Sequence, residues 1–259
     1  MKKRSPHDKA LAEVVRPYGF FKCRQAFIRL CSNGVIQSVT YRYEPHSLAG
    51  DGYMLYFNAG SIYERLLFGY FNDVVEMTDD ISAAEYYALK HDAVRRESWS
   101  WDEAKQLEVF TSDVLPILLP ITSQEEVFQL HKEIMLLKFS EYLYHRPIDL
   151  YLMLYLGMYD EAYKTVKATI ANRRETGARN YAFFRTMDSE EEVQKIIKRD
   201  EQSLKPYIAI QDALESEDYA GIDRILQAQR DYNLEVLGSF LPQGAKKQLP
   251  AFIDAIPAR

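Results

Sequence analysis

The sequence contains little cysteine, and neither half of it carries a net positive charge. Only Cys23 and Cys31 occur among 259 residues, a usage typical of a reducing compartment such as the cytoplasm. We place both on one strand, roughly 26 Å apart at strand rise, which is beyond disulfide reach. The formal net charge is -6, and neither 1–122 nor 123–259 is net basic. This distribution of charge argues against a protein that binds nucleic acid or anionic membranes in general.

Long apolar runs are also lacking. The most apolar stretches, Leu115–Ile121 and Leu150–Tyr159, are too short or too interrupted to span a bilayer. The basic residues of Met1–Arg4 precede the polar stretch Ser5–Lys9, where a secretory signal would have an apolar segment. We therefore expect a cytoplasmic protein with no membrane partner.

Catalytic motifs are missing as well. The sequence contains no Gly-x-Ser-x-Gly elbow, no Walker phosphate loop and no dinucleotide fingerprint, so we expect no cofactor. Among the histidines, only His145 has an acidic partner at helical spacing, Glu141. This pair is a weak metal-site candidate, because a zinc site needs a third protein ligand and none is spaced to join them. Whether the protein is an enzyme stays open, although the lack of catalytic motifs favours a protein that is not an enzyme.

The first part of the chain has the alternating pattern of a β-meander. Between Gly19 and Ala59, apolar residues recur at every second position, and Asn33-Gly34 is a strong hairpin signal. Before it, Ser5-Pro6 starts a helix that Pro17 ends. We predict an α+β fold: an N-terminal helix, a small antiparallel sheet of three or four strands, and an all-helical C-terminal body.

The helical body is predicted from repeated helix-start signals. A serine followed three residues later by glutamate matches the capping box at Ser82, Ser100, Ser123 and Ser189. The predicted helices lie near residues 82–97, 101–119, 123–143, 147–156, 160–174, 190–215 and 218–237. We place an α+β domain at 1–122 and a helical domain of packed hairpins at 123–259, with one compact unit as the alternative.

One helical segment resembles a known repeat. Leu156–Val166 resembles the turn and second helix of a tetratricopeptide repeat, since Gly157 allows a close turn and Ala162 lets two helices approach. A weaker echo runs from Asp218 to Leu226. The two echoes are 60 residues apart, not the roughly 34 of that repeat, so we expect helical hairpins packed side by side.

Three short motifs in the first hundred or so residues carry a family resemblance. They are Pro17–Phe20, which closes the opening helix, Asn33–Gln37, which opens a strand, and Phe57–Tyr63, a strand that ends in a small turn. With them, this part of the chain resembles a bacterial family catalogued only as domain of unknown function 4304. The resemblance implies a compact α+β domain. It implies no catalytic residue, because that family carries no established activity.

Two basic-aromatic clusters and one tyrosine series are binding candidates. The first cluster contains Arg95, Arg96, Trp99 and Trp101, and the second runs from Arg173 to Arg185. Each could stack bases or hold a peptide; the alternative is a solvated helix end followed by aromatic residues that pin a loop to the core. The tyrosines, spaced four apart, are Tyr151, Tyr155, Tyr159 and Tyr163. They would form one aromatic binding face on a continuous helix, but we expect Gly157 to split them into two pairs across a hairpin.

These observations rank three functions. The leading hypothesis is a non-enzymatic protein-binding module, immunity-like or regulatory, whose partner is another protein. The alternative is a hydrolase or small-ligand-binding enzyme with a site assembled from dispersed residues such as Glu141, His145, Asp79 and Arg42. The third is an RNA-binding accessory protein, which the acidic composition disfavours.

Overall fold

The computed structural model describes residues 8–47, 50–64, 68–71, 74–77, 81–91, 102–138, 150–186 and 189–257. Contacts within the chain form two compact units. Unit 1 comprises Met1–Glu141 and Gln229–Arg259, and unit 2 comprises Tyr142–Ala228. The predicted boundary near residues 120–123 lies inside unit 1, and the division into domains 1–122 and 123–259 stays a prediction.

The α+β class is confirmed, with an N-terminal helix, an antiparallel sheet and a mostly helical C-terminal body. Helix α1 (Asp8–Val15) precedes a sheet whose strand order is β1-β2-β3-β4-β7. A separate two-stranded sheet pairs β5 with β6. The strands are β1 (Phe21–Cys23), β2 (Ala26–Leu30), β3 (Val35–Ser47), β4 (Gly50–Ser61), β5 (Phe68–Phe71), β6 (Val74–Met77) and β7 (Ile81–Ser82).

The large sheet has five strands, where three or four were predicted. One reason is a tight turn that divides the expected first strand into β1 and β2. Cys23 pairs with Ala26 across this turn, and Arg24 takes a left-handed φ of 54°. The prediction that Cys23 and Cys31 share one strand is therefore wrong. Cys23 is the last residue of β1, and Cys31 directly follows β2. Both are buried free thiols, and burial raises the pKa of each to about 11.

The hairpin signal at Asn33-Gly34 is confirmed. Both residues have positive φ, 57° and 75°, and the Cys31 amide donates to the Val35 carbonyl at 2.9 Å. Gly34 is also required by space, since a Cβ atom there would lie 2.6 Å from the Ile62 side chain.

Helices make up most of the remaining described chain. They are α2 (Ala83–Lys90), α3 (Glu103–Val109), α4 (Leu115–Leu118), α5 (Gln124–Lys138), α6 (Leu150–Tyr155), α7 (Tyr159–Phe184), α8 (Glu190–Glu215), α9 (Tyr219–Phe240), α10 (Gln243–Lys246) and α11 (Leu249–Asp254).

Three of the predicted helix starts have the expected cap geometry. The hydroxyls of Ser82, Ser123 and Ser189 each accept a hydrogen bond from the amide three residues later. At Ser123 the box is reciprocal, because the Glu126 carboxylate accepts from the Ser123 amide at 2.9 Å. Helix α3 is capped not by Ser100 but by Asp102, whose carboxylate accepts from the Lys105 amide at 2.8 Å.

Pro116 and Pro206 both lie within helical segments. Between α3 and α4 the chain makes a π-helical turn, Phe110–Val114, and Pro116 lies in the first turn of α4. Pro206 lies inside α8 without ending it.

Helix side chains cover the edge of β4 in unit 1. Among the described residues, strand β7 pairs with β4 at Tyr56 and Phe57. Beside this short pairing, the Gln106 amide accepts from the Leu55 amide at 2.8 Å and donates to the Tyr53 carbonyl at 2.9 Å. Further along β4, His131 Nε2 lies 2.9 Å from the Ala59 carbonyl. Side chains of α3 and α5 thus take the place of a longer neighbouring strand.

The end of β4 is held by the C-terminal part of unit 1. Asn233, only 1% exposed, donates to the carbonyls of Ile62 and Glu64, both at 2.7 Å. The buried Glu64 carboxylate in turn accepts from the Ser61 amide at 2.9 Å. A contact between residues 171 positions apart in the sequence therefore joins α9 to the sheet.

The core of unit 1 lies between this sheet and the helices that cover it. Phe57 of β4 meets Tyr86 of α2 edge-to-face, with ring centroids 5.5 Å apart. Phe27 of β2 and Phe110 beside α4 are buried with them.

Unit 2 contains two helical turns of the same construction. At the end of α6, Met158 and Gly157 donate their amides to the carbonyls of Met153 and Leu154, the pattern of a Schellman motif. At the end of α8, Asp218 and Glu217 donate to Ala213 and Leu214 in the same pattern. Each bond in the second turn lies 60 residues after its counterpart, which matches the spacing of the two sequence echoes.

We expect Asn233→Ala to lower the free energy of unfolding by about 2–4 kcal/mol, because two buried carbonyls lose their donor. Urea denaturation measures the loss. Glu235→Ala, an exposed change on the same helix, should stay within about 0.5 kcal/mol. A loss equal to that of the control would show that Asn233 does not hold the end of β4.

Glu217→Gly should stabilise the protein by about 0.5–1 kcal/mol, because Glu217 holds a positive φ that glycine adopts without steric cost. Thermal and urea unfolding would report the gain. The neighbouring Ser216 has a φ of -94°, so Ser216→Gly should give no gain. Equal effects from both substitutions would contradict the strain assigned to Glu217.

Candidate functional site

The longest helices of unit 2 form an exposed pair of segments. We call residues 171–184 of α7 together with 190–208 of α8 the distal arm. Along 171–184, only Gly177 is buried, and Tyr181 and Phe184 are half-buried. On α8, Val193, Leu204 and Tyr207 are buried along the arm. The arm therefore carries a thin apolar seam with extensive solvent-exposed surface on both helices.

A groove lies beside this seam. Ile170, Gly177 and Phe184 follow one another at seven-residue spacing on α7, the interval that keeps residues on one helix face. Gly177 contributes no side chain to this row, and the Tyr181 phenol occupies the space that a Cβ atom would take. Both residues line a groove of about 680 Å³ between α7 and α8. Its apolar lining consists of Gly177, Ala178, Ile197, Leu204 and Ile208.

Tyr181 lies across the glycine and reaches the facing helix. A Cβ atom on Gly177 would lie 2.9 Å from the Tyr181 hydroxyl oxygen, so the glycine gives the phenol its space. The hydroxyl donates to the Asp200 carboxylate at 2.9 Å. Burial, followed by this hydrogen bond and the charge of Asp200, raises the pKa of Tyr181.

Arg173 is held at the groove by an aromatic ring. Its guanidinium lies over the ring of Tyr207, 5.0 Å from the centroid, and Tyr207 is only 1% exposed. Nη1 also donates to the Ser203 hydroxyl at 3.4 Å. These contacts restrict the arginine while its own side chain stays exposed in the groove lining.

The groove has more available positive than negative charge. Within the described ranges, Arg173, Arg174 and Lys205 line it without an ion pair. The lining also includes two carboxylates, Asp200 and Glu201. Asp200 already accepts the Tyr181 hydroxyl. An anionic group of a ligand is therefore better matched to this lining than a cationic group.

The first predicted cluster and the metal-site candidates are not placed by the structure. Arg95, Arg96, Trp99 and Trp101 lie outside the described residues, and so do Glu141, His145 and Asp79. Among the residues that are described, no group of three or more His, Cys, Asp or Glu is arranged to hold a metal ion. No helix in the described part of the chain is both long and apolar enough to cross a bilayer.

The tyrosine series is split by Gly157, as expected. Tyr151 and Tyr155 lie on α6, where Tyr151 is only 3% exposed and belongs to the buried core of unit 2. Tyr159 begins α7, and its ring lies 4.8 Å from that of Tyr219, the first residue of α9. Tyr163 donates to the Glu215 carboxylate at 2.9 Å.

The second predicted cluster lies on the distal arm, but not as a loop. The expected helix end near residue 174 is wrong, since α7 continues to Phe184 through the whole cluster. The loop-pinning alternative for the aromatic residues there is therefore also wrong. Phe183 is 60% exposed. Arg179 and Arg185 form ion pairs with Glu175 and Glu190, at 3.5 and 3.4 Å.

Sequence reasoning missed Gly177, Asp200 and Tyr207. The seven-residue spacing of Ile170, Gly177 and Phe184 is the signal that could have located the small residue on this helix face. The roles of Asp200 and Tyr207 depend on how α7 and α8 align, which no local pattern records.

Comparison with known proteins adds no relative: the chain matches no protein-family model, no curated protein and no solved structure.

Tyr181→Phe should lower the free energy of unfolding by about 0.5–1 kcal/mol near neutral pH, through loss of the bond to Asp200. Because the folded protein raises the pKa of Tyr181 above its ordinary 10.0, this stabilisation is complete below about pH 10. It is lost as the pH rises through the raised value. The difference between variant and wild type should therefore shrink in denaturation series above pH 10.

Tyr232→Phe is the matched control, because Tyr232 is 53% exposed on α9 and its hydroxyl makes no hydrogen bond with a described residue. It should leave unfolding unchanged near neutral pH. A Tyr181→Phe effect that is absent, or that grows with pH, would contradict the assignment.

Proposed function

We propose that this protein is a non-enzymatic, cytoplasmic binding module that holds a segment of another protein in the groove of the distal arm. The observation that carries the proposal is the groove of about 680 Å³ between two long helices, whose lining includes an apolar floor of Ala178, Ile197 and Leu204. Exposed polar and charged side chains surround this floor. Such a combination suits a peptide, whose side chains enter the floor while its polar groups meet the rim.

The chemistry of the lining supports a peptide. Leu204 is buried and Ile197 and Ile208 are half-buried, so the floor already excludes much of the surrounding water. Asn172 and Asn180 supply amide groups that can both donate and accept hydrogen bonds with a peptide main chain. The volume of about 680 Å³ lies in the range of ligand pockets and admits a few side chains.

The scaffold is suited to presenting a groove. The α6–α7 and α8–α9 turns repeat the same hydrogen bonds, and Tyr159 contacts Tyr219 where the two second helices begin. Paired helical hairpins of this kind build extended binding surfaces in repeat proteins.

The biological class within this function rests on analogy. An immunity-like or regulatory role in a bacterium is proposed from other small acidic α+β families and from the resemblance of the first hundred residues to domain of unknown function 4304. A protein in this role acts by binding its partner and requires no catalytic group.

The basic cluster on α7 would be the observation in favour of RNA. Two of its arginines are ion-paired with carboxylates, and Asp200 and Glu201 lie in the groove wall. A phosphate backbone would meet these acidic groups along its path, so a protein segment is the better match.

The test is selection from a display library of random linear peptides with the full chain as bait. We expect enriched peptides whose affinity falls about tenfold or more with Ala178→Trp, because the indole fills the groove that Ala178 lines. Ala182→Trp is the matched control: the same exchange one turn further along α7, at an exposed position outside the lining. It should leave the affinity unchanged.

Absence of any enriched peptide, or equal loss with both tryptophan variants, would contradict the proposed function. Circular dichroism and urea denaturation of both variants verify that they fold alike.

A further inference from the structure

We propose that the segment bound in the groove carries a carboxylate, which Arg173 binds, so that the module selects acidic segments of its partner. This inference rests on the proposed function and adds the chemistry of the ligand to it.

Arg173 has the geometry of a prepared anion-binding group. Its guanidinium stacks on the buried ring of Tyr207, and the hydrogen bond to Ser203 uses one of its five N–H donors. Stacking restricts the long side chain before the ligand arrives, which reduces the conformational entropy lost on binding. The remaining donors can bind both oxygens of a carboxylate.

The neighbouring cations add to the same preference. Arg174 and Lys205 line the groove with Arg173, and none of the three has an ion-pair partner among the described residues. Of the two carboxylates in the lining, Asp200 is engaged by the Tyr181 hydroxyl, which leaves Glu201 against three cations. One acid in the bound segment can therefore be neutralised at this end of the groove.

The arrangement does not favour a nucleic-acid strand. Arg179 and Arg185, which would continue a basic track along α7, are paired with Glu175 and Glu190. The acidic Glu191 and Glu192 follow on the facing helix. Positive charge is thus concentrated near Arg173, where it matches one acidic side chain better than a row of phosphates.

The size of the groove limits the segment. On α7 its lining runs from Asn172 to Tyr181, about 14 Å at helix rise. This length matches roughly four residues of extended chain. We therefore infer a short motif in which one carboxylate lies near Arg173 and one apolar side chain packs against the lining at Ala178 and Ile197.

The experiment repeats the peptide selection and measures the affinity of the enriched peptides by fluorescence anisotropy. We expect Asp or Glu at a constant distance from an apolar residue. Arg173→Gln should weaken binding about tenfold or more, since a hydrogen-bonded ion pair is lost. Arg173→Lys, which keeps the charge but not the planar fork, should recover only part of the affinity.

Arg179→Gln is the matched control, because Arg179 is an exposed arginine on the same helix outside the groove lining. It should leave peptide affinity unchanged. A uridine oligonucleotide serves as the competing probe and should not displace the peptide.

The outcomes separate the two proposals. Enriched peptides that lack an acid, or that bind equally to Arg173→Gln, while still being lost with Ala178→Trp, would overturn the acidic-segment inference and leave the proposed function standing. No enriched peptide, or none sensitive to Ala178→Trp, would overturn both. Displacement by the oligonucleotide, with equal sensitivity to Arg173→Gln and Arg179→Gln, would replace both with RNA binding.

Discussion

The need to pair the main-chain groups of β4 is the constraint on which unit 1 depends. Within the described part of the chain, β7 covers two residues of that edge, and buried main-chain groups without partners are costly. Gln106, His131 and Asn233 lie on three helices far apart in the sequence, and each bonds a main-chain group along β4 or just beyond it. Pairing therefore draws the helices, including the C-terminal part of α9, onto the sheet.

Unit 2 follows a different rule, in which the absence of a side chain is decisive. Gly177 has no side chain in the apolar seam of the distal arm. The Tyr181 phenol occupies this space, and its hydroxyl donates to the Asp200 carboxylate. Gly177, Tyr181 and Asp200 also line the groove beside Arg173. A larger side chain at position 177 would collide with the Tyr181 phenol, because even a Cβ atom there would lie 2.9 Å from the hydroxyl oxygen.

Much of the fold, but little of the candidate site, follows from local patterns. The change from two-residue to helical periodicity predicted the α+β class, and the turn at Gly157 predicted the split of the tyrosine series. The candidate site was predicted only in part. The Arg173–Arg185 cluster was recognised, yet its helix was expected to stop near residue 174, because the exposed run after it has almost no apolar periodicity to indicate a helix.

The sequence by itself determined what is settled within a few residues: the serine caps, the positive φ at Asn33 and Gly34, and the turn at Gly157. Only the tertiary structure decided which distant groups meet, such as Asn233 with the end of β4 or Arg173 with Tyr207. The physical reason is the separation along the sequence of the groups that interact. A cap or turn closes its hydrogen bonds over three to five residues, whereas a buried amide or a stacked guanidinium is defined only by the chain that folds around it.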